Sequence, residues 1–284
     1  MRLKQPLIMK SILQSSLFLF GFLGLMSSCE EIPPVISSCE TESVVLIEEY
    51  TGVKCVNCPT GAAKIKQLIN QHSSAKLVSL SIHTGYFAVP YPESTEDFRL
   101  SIGEALDQNL GPVTSYPSAM INRKIFAGEN SRVLSLNKWA GYIEREFCNV
   151  PPFNIQILNN FDPNTRTLQS TVQVNGINNP KFDQALGLSI YISENNIESM
   201  QLDHNGIDST YIHEHVLRHS FYSTVSGFSS YTNTELPFQN TLQNVSYTLP
   251  NHWKAEDCHV IAIVHYTGAN GKFDILQAGM SSLN

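Results

Sequence analysis

The stretch Glu48-Glu49-Tyr50-Thr51-Gly52-Val53-Lys54-Cys55-Val56-Asn57-Cys58-Pro59 decides how the chain is read. The apolar run Val44-Val45-Leu46-Ile47 precedes it, and Ala62, Ile65, Leu68 and Ile69 follow at helical spacing. A strand, a turn bearing Cys-x-x-Cys and then a helix is the setting in which that motif reads as redox chemistry. At a helix N-terminus, the Cys55 thiolate faces unpaired N–H groups and the positive end of the helix dipole, which lowers the thiol pKa. Cys58, about one turn further on, is placed to close a short disulfide. The alternative is a purely structural pair. A four-Cys zinc site needs a second Cys pair, and Cys148 and Cys258 stand alone.

The chain begins with Arg2, Lys4 and Lys10, followed by the apolar run Leu17 to Met26. That run is too short to span a bilayer, and its basic flank marks residues 1–28 as a signal peptide. Its end, Leu25-Met26-Ser27-Ser28-Cys29, resembles a bacterial lipobox, which implies a lipidated Cys29. Residues 29–41, with Pro33-Pro34, read as a tether. Removing the signal peptide takes away three positive charges and no acids, so the formal charge moves from −7 to −10. An acidic chain without basic clusters is a poor partner for nucleic acid.

Residues 42–150 carry alternating strand and helix signals. Leu77 to Ile82 reads as a strand ending at His83, where a hydrogen-bonded structural imidazole is favoured over a proton-transfer role. Thr84 to Pro112 holds a loop, a helix cap at Ser94-Thr95, helical spacing through Phe98, Ile102, Ala105 and Leu106, and a Gly111-Pro112 stop. Leu136 to Phe147 is an amphipathic helix. After Pro151-Pro152 the period changes to two. Short strands, among them Ala185–Ser193, Tyr211–Phe221 and the nearly apolar His259–Tyr266, predict an all-β immunoglobulin-like sandwich over residues 151–284. On a strand, His213 and His215 share a face, with His204 and His219 nearby. No third ligand can be assigned, so neither a metal nor another cofactor is expected.

The first half resembles thioredoxin. Glu49, six residues before Cys55, stands where thioredoxins carry a buried carboxylate that handles protons for the second Cys. Ser115-Tyr116-Pro117-Ser118 resembles the cis-proline loop facing the Cys pair, a place that needs proline because only X–Pro adopts cis cheaply. The resemblance therefore implies a catalytic set of Cys55, Cys58, Glu49 and Pro117. One departure is Lys54, where thioredoxins have Trp. Both ends of that fold lie opposite the active site, which favours a Cys39–Cys148 disulfide, with Cys148–Cys258 as the alternative. Lipobox, Cys motif, Tyr-Pro loop with Ile121-Asn122-Arg123, and His215-Val216-Leu217-Arg218 together resemble the thioredoxin-like outer membrane lipoproteins of Bacteroidetes. That family is named for a twenty-eight-kilodalton outer membrane protein. The resemblance implies an α/β thioredoxin-like domain followed by a β-sandwich, anchored by lipid in the outer membrane on its periplasmic or cell-surface face. Its partners would be envelope protein thiols and disulfides. The alternative is a non-catalytic protein that binds a surface partner and uses the fold as scaffold.

Replacing Cys29 by Ala is expected to release the protein from the membrane fraction or block its processing. Fractionation with the outer membrane at mature size would rule out the lipid anchor.

Overall fold

In the computed structural model, residues 41–178, 182, 184–229 and 241–283 are described. The expected signal peptide, residues 29–40 of the expected tether, and with them Cys29 and Cys39, lie outside them. In chain order the strands and helices are β1 (Val45–Thr51), α1 (Cys58–His72), β2 (Leu77–His83), α2 (Ser101–Leu110), β3 (Ser118–Ile121), β4 (Leu134–Ser135) and α3 (Trp139–Phe147). The second half contributes β5 (Phe153–Asp162), β6 (Thr167–Gly176), β7 (Leu186–Glu194), β8 (Ile197–Asp203), β9 (Gly206–His213) and β10 (Val216–Ser220). It ends with β11 (Phe228–Ser229), β12 (Thr241–Thr248), β13 (Cys258–Tyr266) and β14 (Ile275–Ser282).

The architecture is mixed α/β, with one large mixed sheet and two smaller antiparallel ones. The large sheet runs β14-β13-β7-β10-β2-β1-β3-β4, with β11 on β7. It differs from the expected division at Pro151-Pro152, because strands from both halves belong to it. Parallel pairing of β10 with β2 at Val216 and Ser81 makes the join, and covers an edge that β2 would otherwise leave open. In place of a separate all-β unit, the second half shares the large mixed sheet with the first and adds smaller antiparallel sheets. The sheet β12-β6-β5 stacks on the β7 and β13 part of the large sheet, where Phe153, Leu168, Val172 and Val174 meet Leu188, Ile190, Val260 and Ala262.

Alternation explains the layers. On one face of β1, Val45 and Ile47 pack with Ile65 and Leu68 of α1 and with Trp139 and Ile143 of α3. On the other, Leu46 and Tyr50 pack with Ile102 and Leu106 of α2. The strand β13 is apolar throughout because both its faces are covered: Val260 and Val264 face the small sheet, and Ile261 and Ile263 the α2 side. The helix α2 begins at Ser101 with no side-chain cap, so Ser94-Thr95 does not start it.

Glu48 lies on the α2 face of β1, where a carboxylate needs a partner. Arg123 supplies one, with Nε to Oε2 at 2.8 Å and Nη2 to Oε1 at 2.6 Å. Both side chains are buried, and Arg123 Nη2 also donates to the Tyr191 hydroxyl of β7 at 3.3 Å. Burial opposes the guanidinium charge, but Glu48 and Tyr191 outweigh it and hold its pKa above the ordinary arginine value. Removing one member strands a buried charge. Arg123→Met is therefore expected to cost about 3–5 kcal/mol in urea unfolding, most of it recovered when Glu48→Leu is added.

Candidate functional site

The Cys turn follows directly from β1, and Cys58 opens α1 with Pro59 behind it. Cys55 and Cys58 are disulfide-bonded with Cα atoms 5.4 Å apart, and are 4% and 2% exposed. Cys55 N–H donates to Gly52 C=O, and Cys58 N–H to Cys55 C=O, so the turn is self-bonded. No acidic side chain lies in the first turn of α1, which leaves the positive end of its dipole unopposed at the sulfurs.

Glu49 faces the α1 side of β1, opposite to Glu48. It is 2% exposed, accepts a hydrogen bond from Ser81 Oγ at 3.2 Å, and has no partner at Oε1. Burial raises its pKa to about 8, and the Ser81 bond only partly offsets this. The Tyr116–Pro117 bond is cis, as is Gly111–Pro112. Gly61 shows what joins these parts. A Cβ there would fall on Glu49 Oε1 and within 2.9 Å of Pro117 Cβ. The first turn of α1 thus lies directly against Glu49 and Pro117. The four expected residues come to one place.

One feature was not read from the sequence. The hairpin of β8 and β9 reaches over from the second half. Gln201 Nε2 donates to Cys55 C=O at 3.1 Å and to Gly52 C=O at 3.4 Å, while Leu202 N–H donates to Val53 C=O at 2.8 Å. On another side, Lys54 N–H donates to Phe87 C=O at 2.9 Å. A Cβ at Gly52 would come within 2.5 Å of the Phe87 carbonyl carbon, so only glycine allows this approach. The loop so held presents Tyr86, which is 80% exposed. Phe87 lies beside Tyr116, with ring centroids 5.5 Å apart. The Lys54 ammonium sits over the Tyr91 ring, 5.1 Å from its centroid.

The histidines do not form a cluster. Chain direction changes at Glu214-His215, between β9 and β10, and His215 has a φ of 58°. His213 and His215 therefore share no strand face, and the single strand expected over Tyr211–Phe221 is two strands in different sheets. His83 is packed between Phe98 and His213, at centroid distances of 4.7 and 5.7 Å, with Nδ1 unpartnered. Burial, then His213 and Arg218, holds it neutral. Its ring is held by packing on Phe98 and His213. Among the described residues, no group of three or more His, Cys, Asp or Glu is placed to hold a metal. Cys258 is a buried free thiol, pushed up to about 12 chiefly by burial, so the Cys148–Cys258 alternative does not form. Cys148 is disulfide-bonded, and the Cys39 of the expected pair lies outside the described residues.

Fold and site define a mixed α/β protein with a Cys-x-x-Cys disulfide at a helix N-terminus. The family model described as outer membrane protein Omp28 matches residues 103–280. The chain belongs to that family and is an outer membrane protein. It is similar in fold to HBP35 of Porphyromonas gingivalis, with 20% identity, a TM-score of 0.67, and coverage of 86% of this chain and 76% of that one. Protein AGR_C_4864 from Agrobacterium tumefaciens is similar at 13% identity and a TM-score of 0.51, covering 86% of this chain and 96% of that one. A domain of the outer membrane lipoprotein Omp28 from Porphyromonas gingivalis matches at 15% identity and a TM-score of 0.32, over 48% of this chain and 91% of that one. No curated protein matches the chain.

The buried carboxyl makes stability pH-dependent. Glu49 keeps its proton up to about pH 8 when folded, against the ordinary glutamate value of 4.5 in the unfolded chain. Between those values the folded state holds a proton that the unfolded state has lost, so stability falls as pH rises, and levels off above. Glu49→Gln lacks this slope. Its stability relative to the parent is expected to improve by on the order of 5 kcal/mol between pH 4 and pH 9 in urea unfolding. A constant difference across that range would exclude the raised value.

Proposed function

We propose that this protein is a thiol–disulfide oxidoreductase of the cell envelope, held at the outer membrane by a lipid on Cys29 and built around a thioredoxin-like centre. What carries the reading is the convergence at Gly61: the Cys pair, a protonated buried carboxyl and a cis-proline meet in the first turn of one helix. Fold likeness at 20% identity does not supply an activity.

The chemistry follows from the parts. A thiolate of a partner protein attacks Cys55 Sγ, and the Cys55–Cys58 bond breaks as the partner–Cys55 bond forms. Cys58 leaves as thiolate and takes the Glu49 proton, which neutral pH leaves on the carboxyl. A second partner thiol, giving its proton to solvent, attacks the partner's sulfur in the mixed disulfide. Cys55 departs as a thiolate stabilised by the N-terminus of α1. The partner loses two electrons and gains a disulfide; the Cys pair gains those electrons. Glu49 is reprotonated from solvent. The reverse sequence reduces a partner, and the relative potentials set the direction. Pro117 shapes the groove that receives the partner chain.

A second reading, a binding protein that uses this fold as scaffold, is favoured by the exposed Tyr86 and its neighbour Phe87. Turnover of insulin disulfides with a dithiol donor is expected, lost in Cys55→Ser and slowed in Glu49→Gln by about tenfold or more. A pair that stays oxidised in excess dithiol, with surface attachment intact in the double Ser variant, would favour binding instead.

A further inference from the structure

A cavity of about 650 Å³ lies between α1 and the end of β9 with the residues that join it to β10. Pro59, Ala62 and Ile69 line one side of it, and Tyr211, Ile212 and His215 the other. Glu49 and Ser81 line it as well, although both are buried. At its rim Ala63 and Ile212 are exposed. One space thus runs from solvent to a carboxyl that is otherwise sealed inside the sheet. Its volume exceeds that of a single water many times, and Glu49, Ser81, Tyr211 and Glu214 offer the polar partners that ordered water needs.

We propose that this cavity is the proton route of Glu49, whose carboxyl exchanges with solvent past Ser81 and between α1 and the Tyr211–His215 segment. Its use in turnover rests on the redox reading above; its existence does not. In each exchange the Glu49 O–H bond breaks, the proton passes to water in the cavity, and a proton from solvent returns to the same carboxyl. The groups facing the route are Lys66 from α1 and Tyr211, Glu214 and His215 from the opposite side. Tyr211 is raised to about 12 by burial and then by Glu49, so it keeps its proton. His215 is lowered to about 4 by burial and then by His259, so it stays neutral. Neither changes charge where Glu49 titrates. Tyr211 and Ser81 act as positioning residues, ordering water toward the carboxyl.

The test uses the processed, oxidised protein, at a pH about two units below the Glu49 value, where the carboxyl is protonated. Its infrared carbonyl band, assigned by loss in Glu49→Gln, shifts when O–H becomes O–D after transfer into D2O. Ala63→Trp and Ile212→Trp plug the rim from exposed positions and are expected to slow that shift by about tenfold or more. Ala63→Ser leaves the parent rate. If a Trp variant fails to fold, Ala63→Leu serves as the smaller plug. A parent rate of exchange in every folded plugged variant overturns the route. Because the Cys pair is not turned over, slowed exchange in a protein inert toward insulin sinks the oxidoreductase reading alone. Unslowed exchange in an active protein sinks the route alone.

Discussion

The buried pair of Glu48 and Arg123 fixes the arrangement on which the rest depends. Strand β1 is covered on both faces, yet carries two adjacent carboxylates. Alternation sends them to opposite sides. Glu48 meets a guanidinium in a two-point fork, and that guanidinium also reaches Tyr191 of β7. One arginine therefore ties the central strand of the first half to a strand of the second. Arg218 makes a comparable tie, pairing with Glu96 at 2.8 Å and Glu194 at 3.1 Å under the Trp253 ring. A charge buried this deeply is tolerated only with its partners in place, so these pairs penalise any packing that separates the halves. Glu49 has no such cation. Desolvation acts on it almost alone, which is why it holds a proton at neutral pH.

Close approach sets the site as firmly as charge does. At Gly61 the helix meets Glu49 and Pro117, and at Gly52 the Cys turn meets the Phe87 backbone. Any larger residue at either place would push the Cys turn away from the groups packed against it. Backbone acceptors on the turn are then taken by Gln201 and Leu202. The second half thus builds part of the site.

The local parts of this design were legible in the sequence. Apolar run, Cys-x-x-Cys and helical spacing located β1, the turn and α1, and the Tyr-Pro dipeptide marked the cis bond. The nearly apolar β13 was readable as an interior strand. What escaped was non-local. Nothing in Val216 or Ser81 announces that β10 will pair with β2, because parallel register across the chain has no local signature. The strand β8 was missed because Ile197-Glu198-Ser199-Met200-Gln201-Leu202 is short and mixed, and its hydrogen bonds fall on partners about 150 residues away. The bend at Glu214-His215 sits inside a run that reads as one strand. Only the left-handed backbone of His215 shows that the chain turns there.

A cation beside the first cysteine, Lys54, suggests a device for holding a thiolate, in place of the aromatic residue thioredoxins carry there. In the structure its ammonium is over Tyr91, and Tyr91 belongs to the packing group of Val53, Phe98 and Val216. The charge is thereby directed toward the loop that flanks the turn, and its attraction to a ring face is worth about 0.5–1 kcal/mol at an exposed site. Stabilising a Cys55 thiolate then falls to the N–H groups and dipole of α1, whose first turn has no carboxylate to oppose them. On this arrangement the two ends of the disulfide differ in kind. Cys55 is served by a fixed helix terminus whose field does not titrate. Cys58 is served by a carboxyl whose proton must come and go. In the proposed oxidoreductase chemistry the gate is Glu49, a buried carboxyl whose state depends on its access to solvent.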